Sequence, residues 1–286
     1  AYEMLRSLVD SEMCIRDRNM NNSPQFSLIT ICYNSALTIE RTIKSVLGQT
    51  FKDYEYIIVD GGSNDGTLDI IKRYESSFEG RLKWKSEPDK GIYDAMNKGV
   101  LRANGIIIGI VNSDDWLDAN ALSWVYSKFL ENGRDEDCLY CGGIVYHKNG
   151  IQREWMVNLN SFYKQTHLYV MSGIRHPATF VPAKIYKKVG LFNDKMKLSA
   201  DQDFILRCFY SGVKFIEINK VLSNMAAGGL STSGAKKAWK YSKHDRKIML
   251  CGFNKKGLAY YWLFYSWLLR NKIKNLARFI KLYKGE

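Results

Sequence analysis

The stretch GIIIGIVNSDDW, residues 105–116, decides the fold because an apolar run ends directly in two adjacent carboxylates. The run at residues 105–111 is rich in β-branched isoleucine and valine, which predicts a strand buried on both faces of a sheet. In sheets of parallel strands, ligands bind beyond the carboxyl ends of the strands. Asp114 and Asp115 therefore indicate a binding site at the end of this strand.

Strands and helices are predicted to alternate on the amino-terminal side of this stretch. Strands are predicted at residues 26–33, 54–60, 81–87 and 105–111, of which the first and last are continuous apolar runs. Helices are predicted at residues 36–49, 65–76 and 91–103. The alternation predicts an α/β fold with a Rossmann-like, mostly parallel sheet that carries helices on both faces.

Polar residues follow each of the predicted strands and are expected to meet at one edge of the sheet. They are Tyr33 and Asn34 after the first strand, Asp60 after the second, Glu87 and Asp89 after the third, and Asp114 and Asp115 after the fourth. A cluster of carboxylates repels itself and resists loss of water, so it needs a counter-charge. A divalent cation that bridges a substrate diphosphate supplies this charge, and oxygen ligands suit Mg²⁺ or Mn²⁺.

Other nucleotide-binding folds lack their motifs in this sequence. The first strand is followed by YNSALT, which has no glycine, and the second ends in DGGSNDG, which lacks the G-x-G-x-x-G spacing of a dinucleotide fold. No P-loop is present. A sugar-nucleotide pyrophosphorylase would also have a metal-bearing parallel sheet, but it would need a glycine-rich phosphate loop after the first strand.

The six cysteines form no disulfide-like framework, which favours a reducing cytoplasm. Two of them, Cys138 and Cys141 in CLYC, have a spacing that is found in zinc sites. No second pair or histidine cluster accompanies them, and the alternation in CLYCGGIVYH is typical of a strand.

The net charge of +13 is concentrated in the basic tail, residues 236–286, which holds 14 Lys or Arg and two acidic residues. The apolar and aromatic run LAYYWLFYSWLL, residues 258–269, is too short to span a bilayer, which needs about 20 residues. A helix here, flanked by cations, suits an anionic membrane surface. The alternative is a C-terminal helix that packs on the catalytic domain. The sequence has no nucleic-acid recognition motif, so we expect no nucleic-acid partner.

The first residues have no secretory signal pattern, and strand patterning begins only at Phe26. The segment SLVDSEMCIRDR resembles translated adapter sequence. We therefore expect residues 1–22 to be a non-native or disordered leader, with Met20 as the start of the natural chain.

Five ordered blocks carry a family resemblance over roughly residues 26–232. They are LITICYN, QTFKDYEYIIVDGGSNDGT, SEPDKGIYDAMNKG, NSDDW and SADQDFILRCFYSG. Together they resemble the family 2 glycosyltransferases with a GT-A fold, especially bacterial members that build surface polysaccharides. The resemblance implies inverting transfer of a sugar from a nucleoside-diphosphate donor. It divides the chain into a catalytic domain at residues 23–235, with a nucleotide-binding half at about 26–116 and an acceptor half at about 117–235, followed by the basic tail.

The resemblance also implies which residues bind the nucleotide-sugar donor. These are Asp60, which matches the acid at the nucleotide base, with Thr30, Tyr33, Asn34, Asp89, Asp94, Asn97, Ser113 and Asp114. Asp114 matches the last acid of the family's D-x-D signature and is the expected metal ligand. Asn112 stands in place of the first acid, and Met96 in place of a more common arginine. Asp60 could instead close an Asx-turn, and Asp94 and Asn97 could be helix surface residues.

On the acceptor side, Asp201 matches the catalytic base, with Asp203 as the nearby rival and a helix cap as the alternative role. His176, Asp115 and Trp116 are expected to line the acceptor half. Asp115 could instead cap the following helix together with Asp118. Residues 226–232, with Gly228 and Gly229, are expected to form a flexible loop after a last core strand at residues 213–218.

The sequence thus predicts a glycosyltransferase that uses Mn²⁺ or Mg²⁺ at the cytoplasmic face of the membrane, on a glycan or lipid-linked acceptor. The competing prediction is a catalytically silent binding module that docks on the membrane through the basic tail.

Overall fold

The computed structural model describes residues 23–169, 173–228 and 235–283, with side chains described for residues 238–270 of the last range. The strands are β1 (Phe26–Cys32), β2 (Tyr54–Asp60), β3 (Leu82–Ser86), β4 (Ile107–Ile110), β5 (Trp116–Leu117), β6 (Cys138–Lys148), β7 (Ile151–Trp155), β8 (Thr179–Pro182) and β9 (Lys214–Ala226). The α-helices are α1 (Ile39–Leu47), α2 (Thr67–Glu75), α3 (Ile92–Arg102), α4 (Ala121–Glu131), α5 (Leu159–Gln165), α6 (Ala183–Val189), α7 (Ala200–Tyr210), α8 (Ala235–Gly252) and α9 (Gly257–Tyr283). The predicted leader at residues 1–22 lies outside the described residues, as does Gly229 of the predicted loop.

The described strands form one sheet in the order β3-β2-β1-β4-β8-β6-β9-β5, with β7 paired to β6. The first four strands of this order, β3, β2, β1 and β4, are parallel as predicted. Every residue of β1 and β2 is buried, which explains their continuous apolar runs. This arrangement is the mostly parallel α/β architecture that the alternation of strands and helices predicted.

The second half of the sheet is mixed, because β8 is inserted antiparallel between β4 and β6. β6 and β9 then pair parallel to each other. As a result, the carboxyl ends of β1, β4 and β9 meet the amino end of β8 at one edge of the sheet. This geometry brings the residues that follow β4 close to those that precede β8 and those that end β9.

Helices cover both faces of the sheet. On one face, α1, α2 and α4 bury Ile43, Ile71 and Val125 against the strands. On the other face, α3, α6 and α7 bury residues such as Met96 and Phe204. Both faces of the sheet are therefore covered, as expected for parallel strands.

Three sequence predictions need correction. The last core strand does not end at residue 218 but runs to Ala226, because it pairs with the full length of β6. Asp115 does not cap the following helix: α4 begins after Asn120, and the Asp115 carboxylate accepts a hydrogen bond from the Ala226 backbone instead. Asp118 likewise accepts from the Asn120 backbone before the helix begins.

The CLYC segment is part of β6, where Cys138 and Cys141 are both buried. Among the described residues, no group of three or more His, Cys, Asp or Glu side chains is arranged to hold a metal ion. The segment is therefore a strand, as its alternation predicted.

The described part of the basic tail packs on the catalytic domain. Met249 and Leu250 of α8 and Leu263 and Phe264 of α9 are buried in the same apolar cluster as α7. Arg246 is also buried, and its guanidinium donates hydrogen bonds to the Leu168 carbonyl and to other backbone oxygens. None of the helices in the described ranges is both long and apolar enough to cross a bilayer.

Candidate functional site

A cavity of about 710 Å³ opens at the edge of the sheet where the strand ends meet. Its volume is in the range of ligand pockets in enzymes. Its walls come from the end of β1, the start of α3, the turn after β4, the segment before β8, residues 194–201, the end of β9 and Tyr241 of α8. Parts of the chain from residue 31 to residue 241 therefore build one site.

The turn after β4 forms one wall, with Asn112, Ser113, Asp114 and Asp115 all lining the cavity. Burial removes the Asp114 carboxylate from water and raises its pKa. The positive charge of Arg41 offsets only part of this increase. Asp115 is nearly fully buried, and its burial together with the charge of Asp114 raises its pKa to about 7. The two carboxylates lie in an environment that favours a positively charged partner.

These residues fit a divalent cation. The side-chain oxygen of Asn112 is buried and has no hydrogen-bond partner in the described part of the chain. The amide nitrogen of the same side chain donates to Asp115. An amide oxygen and two incompletely compensated carboxylates are hard oxygen donors of the kind that Mn²⁺ and Mg²⁺ bind. Asn112 and Asp114 are the residues that could hold the cation, with the remaining ligands supplied by phosphate oxygens and water.

Asp201 lies on another wall of the same cavity, in the first turn of α7. The hydroxyl of Tyr93 donates a hydrogen bond to Asp201 Oδ1 at 3.3 Å. His176 lines the cavity nearby and packs edge-on against Phe192. Burial lowers the pKa of His176, although the charge of Asp201 acts to raise it. The imidazole is therefore neutral near pH 7.

Asp203, the rival to Asp201, does not line the cavity. Its carboxylate is fully buried and accepts a hydrogen bond of 2.9 Å from Arg207 Nε in an ion pair one helical turn along. Arg207 also donates to the backbone oxygens of Val189 and Leu191. Asp203 therefore belongs to the buried packing of α7.

The expected nucleotide-binding residues fall into three groups, of which the first lines the cavity. Tyr33, Asn34 and Asp89 line the cavity together with Ser113. Asn34 has a positive φ of 48°, and its side-chain oxygen accepts a hydrogen bond from the Asn64 backbone. Ser113 Oγ lies 2.9 Å from Ser35 Oγ, so the turn after β4 is held to the end of β1.

The second group lies behind the cavity wall. Asp60 is fully buried, and its Oδ2 accepts hydrogen bonds from the backbones of Gly62 and Ser63 and from the Ser86 hydroxyl. Burial alone would raise the pKa of Asp60, but these hydrogen bonds lower it overall. Thr30, also fully buried, accepts a hydrogen bond from the Tyr56 hydroxyl.

Three other expected site residues have structural partners and do not line the cavity. Asp94 forms an ion pair with Lys98 at 3.1 Å. Asn97 exchanges two hydrogen bonds with the backbone of Phe192. Trp116 is covered by the guanidinium of Arg41, which lies 3.7 Å from the ring centroid.

The sequence model described as "Glycosyl transferase family 2" matches residues 27–190, which is more than half of the chain. The chain belongs to glycosyltransferase family 2. It is 29% identical over 247 residues to the hyaluronan synthase of Pasteurella multocida, an alignment that covers 86% of this chain and 25% of the relative. The chain thus spans about a quarter of the length of that relative.

Solved structures of glycosyltransferases share the fold of this family 2 glycosyltransferase. TarS of S. aureus in complex with UDP superposes with a TM-score of 0.60 at 17% identity, over 84% of this chain and 68% of that chain. Mannosyltransferase PcManGT from Pyrobaculum calidifontis, in complex with GDP-Man and Mn²⁺, superposes with a TM-score of 0.57 at 16% identity, over 91% of this chain and 77% of that chain. At these identities the likeness establishes the GT-A fold.

Sequence reasoning missed several residues of this glycosyltransferase's cavity. The sequence indicates Tyr93 only as part of a helix, although its hydroxyl contacts Asp201. Tyr241 of α8 lines the cavity, and the neighbouring Asp245 accepts hydrogen bonds from residues 197–199. One signal was available for Asp245: it is one of only two acidic residues in the basic tail.

Proposed function

We propose that this family 2 member is an inverting glycosyltransferase that moves a sugar from a nucleoside-diphosphate sugar, with UDP favoured, to a hydroxyl of a glycan or lipid-linked acceptor in cell-surface polysaccharide synthesis. The observation that carries the proposal is that Asp114 and Asp201 line one cavity from different segments of the chain. Sugar transfer needs one group that stabilises the leaving diphosphate and another that accepts the proton of the attacking hydroxyl. Asp201 would accept the proton, and Asp114 would stabilise the diphosphate through a bound divalent cation.

At the donor end of the cavity, Asp114 and Asn112 would hold Mn²⁺ or Mg²⁺ next to the diphosphate. A bound cation supplies positive charge for the departing phosphate oxygens. Tyr33, Asn34 and Asp89 line the same cavity and would contact the nucleoside. The complexes of TarS with UDP and of PcManGT with GDP-Man and Mn²⁺ support a nucleotide-sugar donor and a divalent cation for this chain too.

At the acceptor end, Asp201 accepts the proton of the acceptor hydroxyl as its oxygen attacks the anomeric carbon. The new bond joins that oxygen to the anomeric carbon, and the bond from this carbon to the diphosphate oxygen breaks. The nucleoside diphosphate leaves with the electron pair of the broken bond. Because the hydroxyl attacks from the side opposite the departing diphosphate, the configuration of the anomeric carbon inverts. The hydrogen bond from Tyr93 orients the carboxylate, and neutral His176 leaves Asp201 without a competing ion pair on that side.

The exposed face of α9 supports an acceptor at a membrane surface. Five large apolar side chains, here called the aromatic stripe, follow helical spacing and are more than half exposed: Leu258, Tyr261, Trp262, Tyr265 and Leu269. Lys256 lies just before this helix and Arg270 directly after the stripe, and both are exposed. Aromatic rings between cations suit the interface of an anionic bilayer. We therefore place the enzyme at the inner face of the cell membrane.

The donor site is tested by thermal unfolding of the chain with UDP, GDP or dTDP, each with and without Mn²⁺. We expect one nucleotide to raise the melting temperature, and to do so only with the metal. The Asp114→Ala variant should lose this metal-dependent stabilisation. Asp137→Ala should keep it, because Asp137 is a half-buried acid that lies just before β6 and pairs with Lys184 outside the cavity. If no nucleotide stabilises the folded chain, the silent binding module becomes the better account.

A further inference from the structure

Asp245 lies in α8, outside the region that the family model matches, and its carboxylate is fully buried. Its Oδ2 accepts hydrogen bonds from the backbone nitrogens of Lys197, Leu198 and Ser199, at 3.1, 2.6 and 2.9 Å. Its Oδ1 also accepts from the Lys197 nitrogen at 2.9 Å and lies 3.1 Å from His244 Nδ1. One side chain of the tail therefore satisfies three consecutive backbone donors of the catalytic domain.

Those three donors lie directly before the helix that carries Asp201. Ser199 is the N-cap residue of α7, and its own side chain makes no capping hydrogen bond. Successive backbone N–H groups at the start of a helix form a site that favours an anion. Asp245, on another helix, accepts from the N-cap residue and the two residues before it, and so occupies the anion site that these N–H groups form.

The segment that Asp245 holds is also part of the cavity wall. Met196, Lys197 and Leu198 line the cavity, and Asp201 follows within the first turn of α7. Tyr241, one helical turn before Asp245, lines the cavity as well. Both Asp201 and Asp245 act electrostatically on buried Tyr93, whose pKa is raised mainly by burial and then by Asp201. Both carboxylates therefore lie close enough to the Tyr93 phenol to affect it electrostatically.

We infer that Asp245 is a positioning residue that fixes residues 197–199 and thereby sets the place of Asp201 in the cavity. The inference rests on the proposed role of Asp201 as the base. It makes the tail a part of the active site, in addition to any role in membrane binding. A misplacement of a reacting group by about 1 Å can cost roughly 100-fold in rate, so such a residue has a measurable effect without touching the substrate.

The adjacent residue Arg246 provides a matched control. It is buried on the same turn of α8, but it donates to the carbonyls of Leu168 and Leu263, which do not line the cavity. Loss of either side chain weakens the docking of α8. Only the loss of Asp245 releases the segment before α7.

The experiment compares wild type, Asp245→Asn and Arg246→Met by hydrogen exchange and steady-state kinetics. Kinetics follow the release of nucleoside diphosphate from UDP-GlcNAc or GDP-mannose with Mn²⁺, with water as the acceptor of the sugar, below the melting temperature of both variants. We expect Asp245→Asn to speed amide exchange at residues 197–199 and to lower kcat by about 10- to 100-fold, with KM for the donor within about threefold. Arg246→Met should leave exchange at these amides and kcat close to wild type.

Two results would overturn the inference. One is fast exchange of the 197–199 amides in the wild-type chain, which needs no variant to fold. The other is a loss of kcat in Asp245→Asn no larger than that in Arg246→Met. Asp201→Asn is assayed in parallel. Full activity in that variant would contradict the proposed role of Asp201 as the base. It would not affect the contact of Asp245 with residues 197–199, which the exchange data report independently.

Discussion

The hydroxyl of Tyr93 on α3 donates a hydrogen bond of 3.3 Å to Oδ1 of Asp201 on α7, across 108 residues of sequence. Tyr93 is buried and its ring stacks near Phe192, so its hydroxyl has a fixed position. The contact joins the donor half of the sheet to the helix that carries the proposed base. It gives Asp201 a defined orientation toward the cavity.

Replacing Tyr93 with Phe should lower kcat by about 5- to 10-fold, since one hydrogen bond to a charged group contributes about 1.5 kcal/mol or less when partly exposed. Affinity for nucleotide should not change, because the Tyr93 hydroxyl bonds to Asp201 at the acceptor end of the cavity. The control is Tyr54→Phe, which removes a buried hydroxyl bonded to the Val46 carbonyl. An equal loss of kcat in both variants would assign the effect to general destabilisation.

Asp203 and Asp201 should separate stability from catalysis. Removal of one partner of the buried Asp203–Arg207 ion pair leaves a buried charge and should cost about 3–5 kcal/mol in the free energy of unfolding. Asp203→Ala is therefore expected to lower the urea midpoint strongly, while the folded fraction keeps near-normal kcat. Loss of kcat in folded Asp203→Ala, with stability unchanged, would reverse the roles given to these two carboxylates.

Glu55 should contribute a pH-dependent part of the stability. It is 4% exposed, and although burial alone would raise its pKa, hydrogen bonds from Lys83, Ser27 and Asn104 hold the pKa below its ordinary value of 4.5. A carboxylate with a lowered pKa in the folded state stabilises the protein above that ordinary value, and the contribution is lost as the pH falls through the lower folded pKa. In urea unfolding between pH 7 and pH 3, the difference between wild type and Glu55→Gln should be largest near neutrality and shrink below about pH 4.5. A difference that stays constant across this range would show that ionisation of Glu55 does not contribute.

The aromatic stripe should carry membrane affinity. Replacing Trp262 and Tyr265 with Ser should weaken binding to vesicles that contain anionic lipid by about tenfold or more, because both side chains would otherwise insert at the interface. The matched control replaces Leu130 and Ile151, two exposed apolar residues on other surfaces, with Ser. Equal vesicle binding by wild type and the stripe variant would leave α9 as a packing element alone.

Local sequence patterns were sufficient to predict the first half of the fold. Strands β1, β2 and β4 are buried along their whole length, β3 alternates between apolar and polar residues, and α1 to α3 have helical periodicity, so each element could be recognised without its partners. The same holds for Asp114, which follows a buried strand directly. The insertion of β8 between β4 and β6 could not be predicted, because the pairing joins segments more than 70 residues apart.

The candidate site was harder to predict for the same reason. Asp203 and Asp201 are two residues apart in sequence, and only the position of Arg207 one turn later indicates which of them is neutralised. Of the two predicted alternatives for the tail, packing on the domain is observed at Leu263 and Phe264. The aromatic stripe is exposed, and its binding to a membrane stays a prediction. The partners of Asp245 lie 46 to 48 residues away and are backbone N–H groups. Every residue type except proline has such a group, so the sequence cannot indicate these contacts.

The measurement that tests the account most directly is the turnover of Asp201→Asn next to its affinity for nucleotide. The variant keeps the size of the side chain and removes its ability to accept the proton. We expect metal-dependent nucleotide binding to match wild type, while the rate of nucleoside diphosphate release from the active donor falls by about 100-fold or more. Turnover at the wild-type rate, in a variant that binds nucleotide normally, would contradict the assignment of Asp201 as the base.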